Sequence, residues 1–459
     1  MINKYCQLLF SVLCIINTCI VLAAQISDQP LALSLTISSR TRSLEVAWRN
    51  AQIHDGDAVV ITTEEPLTFQ KPSTGVIESE VVTEGSGGGI EPSSNAFDNN
   101  SRFRSDWQCN NSTTSIVHQL IPKNANEWIT TTVPFDYALS SEITIDTKCY
   151  GFWASYIDSN GTILATSCIS AHPKWMNEMR SHIENFRLRD LFIPGTHDSG
   201  SYRYRFNPVI NETLVTKYSL TQDDDIKGQL LHGIRYLDIR VGYYRSSEEL
   251  FWANHGISRQ RPLREILEQV LDFVEDTNEI VLFDIQEFPV GFGRNLDIHR
   301  KLVNFVKSVL GDHIADPQLT WQATLKDIWQ RKQTIIVSYD NYEVVDEYPS
   351  ILFQAIEQRW GNVQNLDSLE RFLRRKNQLF ANLISRPFAD MAELTPDTWG
   401  VLTDQYGGLR LLADRVNRFV SKWYENELGV NANIVAVDFY RGTTIVETAI
   451  SWNLKRIVT

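Results

Sequence analysis

From Trp175 onward the chain alternates short runs that are apolar on both sides with amphipathic helical stretches. A strand without a polar face must be covered on both sides, and a strand–helix alternation does this by laying helices over a parallel sheet. The strands read as Leu191 to Ile193, Ile234 to Ile239, Leu250 to Ala253, Glu279 to Ile285, Thr334 to Ser338, Leu379 to Ile384 and Ile434 to Val437. Leu263, Ile266, Leu267, Val270, Leu271 and Val274 follow Pro262 at helical spacing, a stripe that serves core packing. Leu296 to Leu310 and Leu409 to Tyr424 are helical too, and Asp223-Asp224-Asp225 caps a short helix running through Leu231. Residues 173–459 are long enough for one closed (β/α) barrel. Seven strands are one short of eight, which implies an irregular barrel; a doubly wound open sheet is the other arrangement that fits.

The strand ends carry the chemistry. Leu191-Phe192-Ile193 stops at Pro194-Gly195, and Thr196-His197-Asp198-Ser199 follows the turn. The second strand holds Asp238 and Arg240, Asn254-His255-Gly256 follows the third, and the fourth contains Asp284. The last strand ends in Asp438. In a parallel barrel these exits converge on one mouth. Singly, each has a structural explanation: Asp238 and Arg240 as an ion pair, His255 in a turn, Asp284 as a satisfied buried acid, Asp438 as a helix cap. Together, two histidines and an arginine point to phosphoryl chemistry. One histidine takes a proton from a hydroxyl, the other protonates a leaving alkoxide, and the arginine holds the phosphate. An arginine at the centre of the acids disfavours a divalent cation, so the expectation is a metal-independent site without a cofactor. His54, His118, His172, His182, His232, His299 and His313 lack such a context.

The region before the barrel reads differently. The N-terminus, with Lys4, an apolar run from Leu8 to Leu22 and small residues to Ala24, reads as a cleaved secretory signal over 1–24. Residues 25–172 show short alternating strands and no amphipathic helix, which suggests a small antiparallel β-sandwich. An acidic Gly/Ser-rich loop at 78–100 interrupts it. Beyond the signal, Cys109, Cys149 and Cys168 make one disulfide plus one free thiol in an oxidising compartment, with the pairing open. Asn99, Asn110, Asn111, Asn160 and Asn211 are glycan acceptors if the chain is secreted. A net charge of −13 argues against nucleic acid as a partner. Tyr202, Tyr204 and Phe206, just past the catalytic turn, are candidates for touching a lipid interface.

Ile193-Pro-Gly-Thr-His-Asp-Ser-Gly200, Gly233-Ile-Arg-Tyr-Leu-Asp-Ile-Arg240 and Asn254-His255-Gly256 resemble the X domain of phosphatidylinositol-specific phospholipase C. The resemblance is to the single-X-domain, metal-independent, bacterial-like type. Thr221-Gln222, Gln229 and Val437-Asp438-Phe439 fit the same pattern, and the match spans about 175 to 445. It implies a distorted (β/α)8 TIM-like barrel that cleaves phosphatidylinositol or a glycosylphosphatidylinositol lipid to diacylglycerol and a cyclic inositol phosphate. It further implies His197 as general base oriented by Asp438, and His255 as general acid assisted by Asp198. Arg240 would contact the phosphate and Asp238 would hold that arginine. Asp284-Ile285-Gln286 stands where a headgroup lysine would be expected, and Tyr339-Asp340 and Trp360-Gly361-Asn362 occupy the region of the other headgroup contacts. Asp284 is then a candidate substrate contact. The implied partner is a phosphoinositide or glycosylphosphatidylinositol lipid at a peripheral membrane surface. Two other functions fit the same residues: a non-catalytic secreted lipid-binding protein, and a metal-dependent glycerophosphodiesterase or sphingomyelinase D-like enzyme.

Overall fold

The computed structural model describes residues 30–70, 107–109, 115–380 and 386–457. The signal stretch, the loop at 78–100, and Asn99, Asn110 and Asn111 lie outside them. Up to residue 170 the regular structure is β, apart from the 3-10 turn Tyr137–Glu142. The strands are β1 (Ala32–Ile37), β2 (Ser43–Arg49), β3 (Ala58–Thr62), β4 (Phe69–Gln70), β5 (Gln108–Cys109), β6 (Ile116–Leu120), β7 (Glu127–Pro134), β8 (Cys149–Ile157) and β9 (Ile163–Ser170). One sheet runs β1-β2-β7 and another β6-β3-β8-β9. Asp158 shapes the turn between β8 and β9 by accepting from the Asn160 and Thr162 amides, each at 2.8 Å. Cys149 and Cys168 are disulfide-bonded and Cys109 is a free thiol.

The chain divides into two compact units. The first takes the described residues up to 35, 46–133 and 151–169; the second takes 36–45, 134–150 and 170 onward. Within the second unit, three consecutive acids explain why the early segments join it. Asp223 accepts two bonds from Arg410, one from Arg42 and one from the Tyr137 hydroxyl. Asp224 pairs with the Arg441 guanidinium through two bonds, at 2.6 and 2.8 Å, and accepts from Tyr440. Asp225 caps α1 (Ile226–Leu231) through the Gly228 amide. Capping is thus the work of one acid of the three. The other two hold arginines whose burial is tolerable only because they are paired.

The second unit is built on parallel strands β10 (Ile193–Thr196), β11 (Tyr236–Tyr243), β14 (Val281–Val290), β15 (Ile335–Tyr339), β16 (Phe353–Gln354), β17 (Glu357–Trp360), β18 (Phe388–Met391) and β19 (Ile434–Val437), with β12 (Phe251–His255) and β13 (Ser258–Pro262) between β11 and β14. The ladder runs β16-β15-β14-β11-β10-β19-β18-β17. This is the cyclic order of an eight-stranded barrel, with one seam: among the described residues, β16 and β17 do not pair. The sheet is therefore curled but open along one edge.

Alternation along each strand sorts the apolar residues into two layers. Leu237, Ile239, Val435, Val437, Ala392 and Leu394 pack with α2 (Leu263–Thr277), α3 (Leu296–Leu310) and α4 (Leu409–Asn426) on the outside. Ile193, Tyr236, Leu282, Ile336, Ala389, Met391 and Ala436 fill the inside. Gly195 is required there, because a Cβ at that position would meet Tyr236 Cδ1 at 2.7 Å.

Two sequence expectations need correction. Leu250 to Ala253 is not a barrel strand: β12 runs antiparallel to β11 and forms a hairpin with β13. Leu379 and Phe380 end a helix, Leu366–Phe380, rather than starting a strand, and 381–384 lie outside the described residues. The strands the sequence hid are β16, β17 and β18.

Candidate active site

The inward face of the sheet ends in polar groups. His197 continues β10, Asp238 and Arg240 lie on β11, and Asp438 continues β19. The β10–β19 ladder pairs Thr196 with Val437, so His197 and Asp438 are neighbours by register. His197 Nδ1 lies 2.8 Å from Asp438 Oδ1, and Arg240 Nη2 lies 2.7 Å from His197 Nε2. A guanidinium can only donate, so Nε2 presents its lone pair and Nδ1 carries the proton donated to Asp438. Burial opposes protonation of this ring, but the Asp438 charge outweighs it and lifts the pKa to about 9, so this neutral tautomer is the minority form near pH 7 and dominates only above about 9. His197 is therefore a strong proton acceptor whose lone pair is held by Arg240.

Arg240 joins the two halves of the site. It donates to Asp238 Oδ2 at 3.2 Å and lies 3.9 Å from Asp198 Oδ2 and 3.7 Å from Glu287. Burial works against the guanidinium charge, and Asp238, Asp198 and Glu287 together hold it ionised. Asp238 is fully buried, yet Arg240 and then His197 keep its carboxyl below the ordinary range. It also accepts from the Asp198 amide at 2.9 Å and from Gln358 at 3.1 Å.

Asp198 sits at φ +40°, a left-handed turn that Asp tolerates better than most residues. Its carboxylate is fully buried next to Ser201 and, among the described residues, makes no hydrogen bond of good geometry; His255 Nε2 is 4.0 Å away. Burial pushes its pKa up to about 7, against the pull of Arg240. His255 ends β12, at right angles to His197, with ring centroids 6.3 Å apart. Burial, then the charges of Arg240 and His197, lower its pKa to about 3. Near neutrality this pair holds its proton on the Asp198 side.

The turn at His197 to Ser199 is braced from behind. Gln222 donates to both the His197 and Val437 carbonyls, at 3.0 and 2.9 Å. Thr221 donates to the Asp198 carbonyl, Gln229 to the Ser199 carbonyl, and Asn417 to the Asp438 carbonyl. These bonds fix side chains that arrive from distant parts of the chain.

Asp284 is brought to the same level as Asp238 by the β11–β14 register, but its role there is support. It accepts from Ser338, Tyr236 and Gln286 and has no exposed surface. Tyr202 and Phe206 are buried in the core, so neither faces solvent, and the Tyr204 hydroxyl is tied to Asp225 and Gln269. Two groups escaped the sequence: Gln358 and Glu393. Glu393 follows β18, opposite in parity to Ala392 and Leu394, and so faces the interior beside Asp438. It is 3% exposed; burial raises its pKa and the nearby His197 charge opposes this. A two-residue step from Met391 would have found it had β18 been recognised.

Among the described residues, no group of three or more His, Cys, Asp or Glu side chains is placed to hold a metal ion. No protein-family model matches the chain. PI-PLC X domain-containing protein 1 of Danio rerio is 26% identical over 292 residues, covering 58% of this chain and 91% of that protein. PI-PLC X domain-containing protein 3 of Mus musculus is 28% identical over 314 residues, covering 61% and 92%. Among solved structures, phosphatidylinositol-specific phospholipase C from Listeria monocytogenes aligns at a TM-score of 0.47 and 20% identity, over 61% of this chain and 98% of that one. By sequence, the chain is similar to PI-PLC X domain-containing proteins over 58–61% of its length.

Proposed function

We propose that the protein is a metal-independent phosphodiesterase that cleaves phosphatidylinositol or glycosylphosphatidylinositol lipids. The observation that carries this is the bonded series Asp438–His197–Arg240–Asp238, with Asp198 and His255 within 4.0 Å on its far side. A substrate phosphate draws Arg240 to itself and frees the His197 lone pair. His197 then takes the proton of the headgroup 2-hydroxyl as its oxygen bonds to phosphorus. The bond to the glycerol oxygen breaks, and the Asp198–His255 pair supplies the proton to that alkoxide. The products are a cyclic phosphodiester and diacylglycerol. Asp238 keeps Arg240 in place, and Arg240 offsets charge on the non-bridging oxygens.

A guanidinium among the carboxylates already supplies the positive charge that a divalent ion would bring. Turnover of phosphatidylinositol vesicles should therefore continue undiminished in excess chelator. Its pH profile should be a bell that rises up to about 7, as more His197 gives up its proton, stays level while that gain is offset by ionisation of Asp198, and falls above about 9. Loss of activity in chelator would favour the glycerophosphodiesterase-like alternative. A rate that climbs steadily from pH 7 to 9 would remove Asp198 from the proton path.

Location and partner follow the same reading. The disulfide formed by Cys149 and Cys168 fits secretion into an oxidising compartment. Ile257, Tyr342, Trp399 and Leu402 are exposed in segments that follow β12, β15 and β18, and Trp360 is exposed at the end of β17. Apolar side chains so placed suit a lipid surface as the peripheral partner.

A further inference from the structure

Asp438 orients His197, and the residue after it is strained. Phe439 sits at φ +46°, in the left-handed region that a bulky side chain occupies only when its surroundings impose it. Three contacts impose it here. The Phe439 amide donates to the Thr221 carbonyl at 2.7 Å, and Asn417 Nδ2 donates to the Phe439 carbonyl at 3.2 Å. The Arg410 guanidinium lies over the ring, 4.1 Å from its centroid. Asn417 Nδ2 also reaches the Asp438 carbonyl, at 3.0 Å. The backbone that aims the Asp438 carboxylate is thus set by Arg410 and Asn417, both on α4.

Those two side chains are themselves held by residues 38–42, the turn between β1 and β2, which belongs to the second unit. Arg410, Asp414 and Asn417 stand at i, i+4 and i+7, one stripe of the helix, and all three meet this turn. Arg410 Nη1 donates to the Ser39 carbonyl at 3.0 Å, and the Ser39 hydroxyl lies 3.3 Å from Asn417 Nδ2. Asp414 accepts from the Ser38 hydroxyl at 2.8 Å and from the Arg40 amide at 3.2 Å. The approach is close enough that a Cβ at Gly442 would meet Ser39 Oγ at 2.7 Å. Arg42 closes the turn by donating to Asp223, which Arg410 grips through two bonds of 2.9 Å each. Asp223 follows Gln222, whose side chain holds the His197 and Val437 carbonyls. The turn therefore bears on the supports of both members of the His197–Asp438 pair.

We propose that residues 38–42 are a positioning element of the active site, holding Asp438 against His197 through Arg410 and Asn417. The proposal rests on the phosphodiesterase reading for the reaction it serves, but its first readout needs no turnover.

Arg42→Ala and Asp414→Ala release the turn from its two ends, and neither residue touches the reacting groups. NMR of ring-labelled histidine follows the titration of His197 in full-length protein, the signal being assigned by its loss in His197→Ala. Burial lowers that midpoint and Asp438 overrides it, with Arg240 opposing and Glu393 adding, to give about 9. Each variant is expected to cut the proton affinity of His197 about tenfold or more. On phosphatidylinositol vesicles, the falling limb of the pH profile should move down with it. Arg42→Lys, which keeps the charge beside Asp223, should restore most of both. Arg456→Ala is the control for stability, because it removes bonds to the Asp190, Gly429 and Ala432 carbonyls ahead of β10 and β19. It should lower the urea midpoint and leave His197 as in wild type. A His197 midpoint that holds in both turn variants overturns the proposal, as does an equal shift in Arg456→Ala. A shifted midpoint in a protein that turns over no phosphatidylinositol upholds the role of the turn and sinks the enzyme reading instead.

Discussion

Replacing His197 by alanine lowers kcat for phosphatidylinositol by roughly 10²–10⁴, the range of one general base. The expectation follows from three distances. His197 Nδ1 is committed to Asp438 at 2.8 Å, which fixes the tautomer and the ring plane. Nε2 is the nitrogen left to act, and Arg240 covers it at 2.7 Å. No other imidazole is placed to substitute, since His255 belongs to the opposite flank, 6.3 Å away between ring centroids. KM should change little, because the phosphate is held by Arg240. Asp438→Asn should reduce kcat as well, with the ring still present but no longer charged toward proton uptake. Kinetics on vesicles of fixed composition separate the two parameters. An unchanged kcat in His197→Ala would mean that the hydroxyl proton leaves by another route.

Arg240→Ala should cost roughly 10²–10³ in kcat, comparable to removing one preorganised donor from a developing negative charge. Here the loss has a second part. Asp238 has no exposed surface and Asp198 is likewise buried; Arg240 is the cation near both. Without it, two acids are left in a low-dielectric mouth, which costs on the order of 3–5 kcal/mol when one member of a buried pair is removed. Urea unfolding of Arg240→Ala against wild type measures that part separately. Arg240→Lys should recover stability more than rate, because an ammonium supplies charge but not the fork that binds two phosphate oxygens. Equal recovery of both would show that Arg240 acts through charge alone.

The helices were the most legible part of the chain. Leu296 to Leu310 is helical at the bounds its apolar stripe implies, and Leu263–Thr277 follows Pro262 as its spacing requires. Their signal is a period that survives over four turns. β16 and β17 had no such signal: one has two residues, and the other reads Glu357-Gln358-Arg359-Trp360. Arg359 faces outward to Asp390, where burial and pairing replace apolarity, and Gln358 faces the site. A strand that is polar for function or for a buried ion pair does not look like a strand. The hairpin of β12 and β13 was mistaken for a barrel strand because alternation reports which residues are buried and not which direction the chain runs.

The site was more legible than the sheet, for a related reason. His197, Asp198, Asp238, Arg240, His255 and Asp438 stand next to turns or apolar runs, so their place at strand exits is visible without the register. Glu393 and Gln358 needed the register, because their strands were unseen. Asp284 shows the limit of position alone. It stands at the right level, but Ser338, Tyr236 and Gln286 take up its oxygens.

The central claim is that a headgroup hydroxyl, activated by His197, attacks the phosphorus. Phosphorus NMR of the water-soluble product tests it most directly. Purified protein is incubated with phosphatidylinositol vesicles in chelator, beside His197→Ala and His255→Ala. The account predicts that wild type releases a cyclic inositol phosphate first, at the shift of a five-membered cyclic phosphodiester, and that each variant releases far less. Direct release of the open-chain monoester, without a cyclic species at the earliest times, would mean that water is the nucleophile and would contradict it.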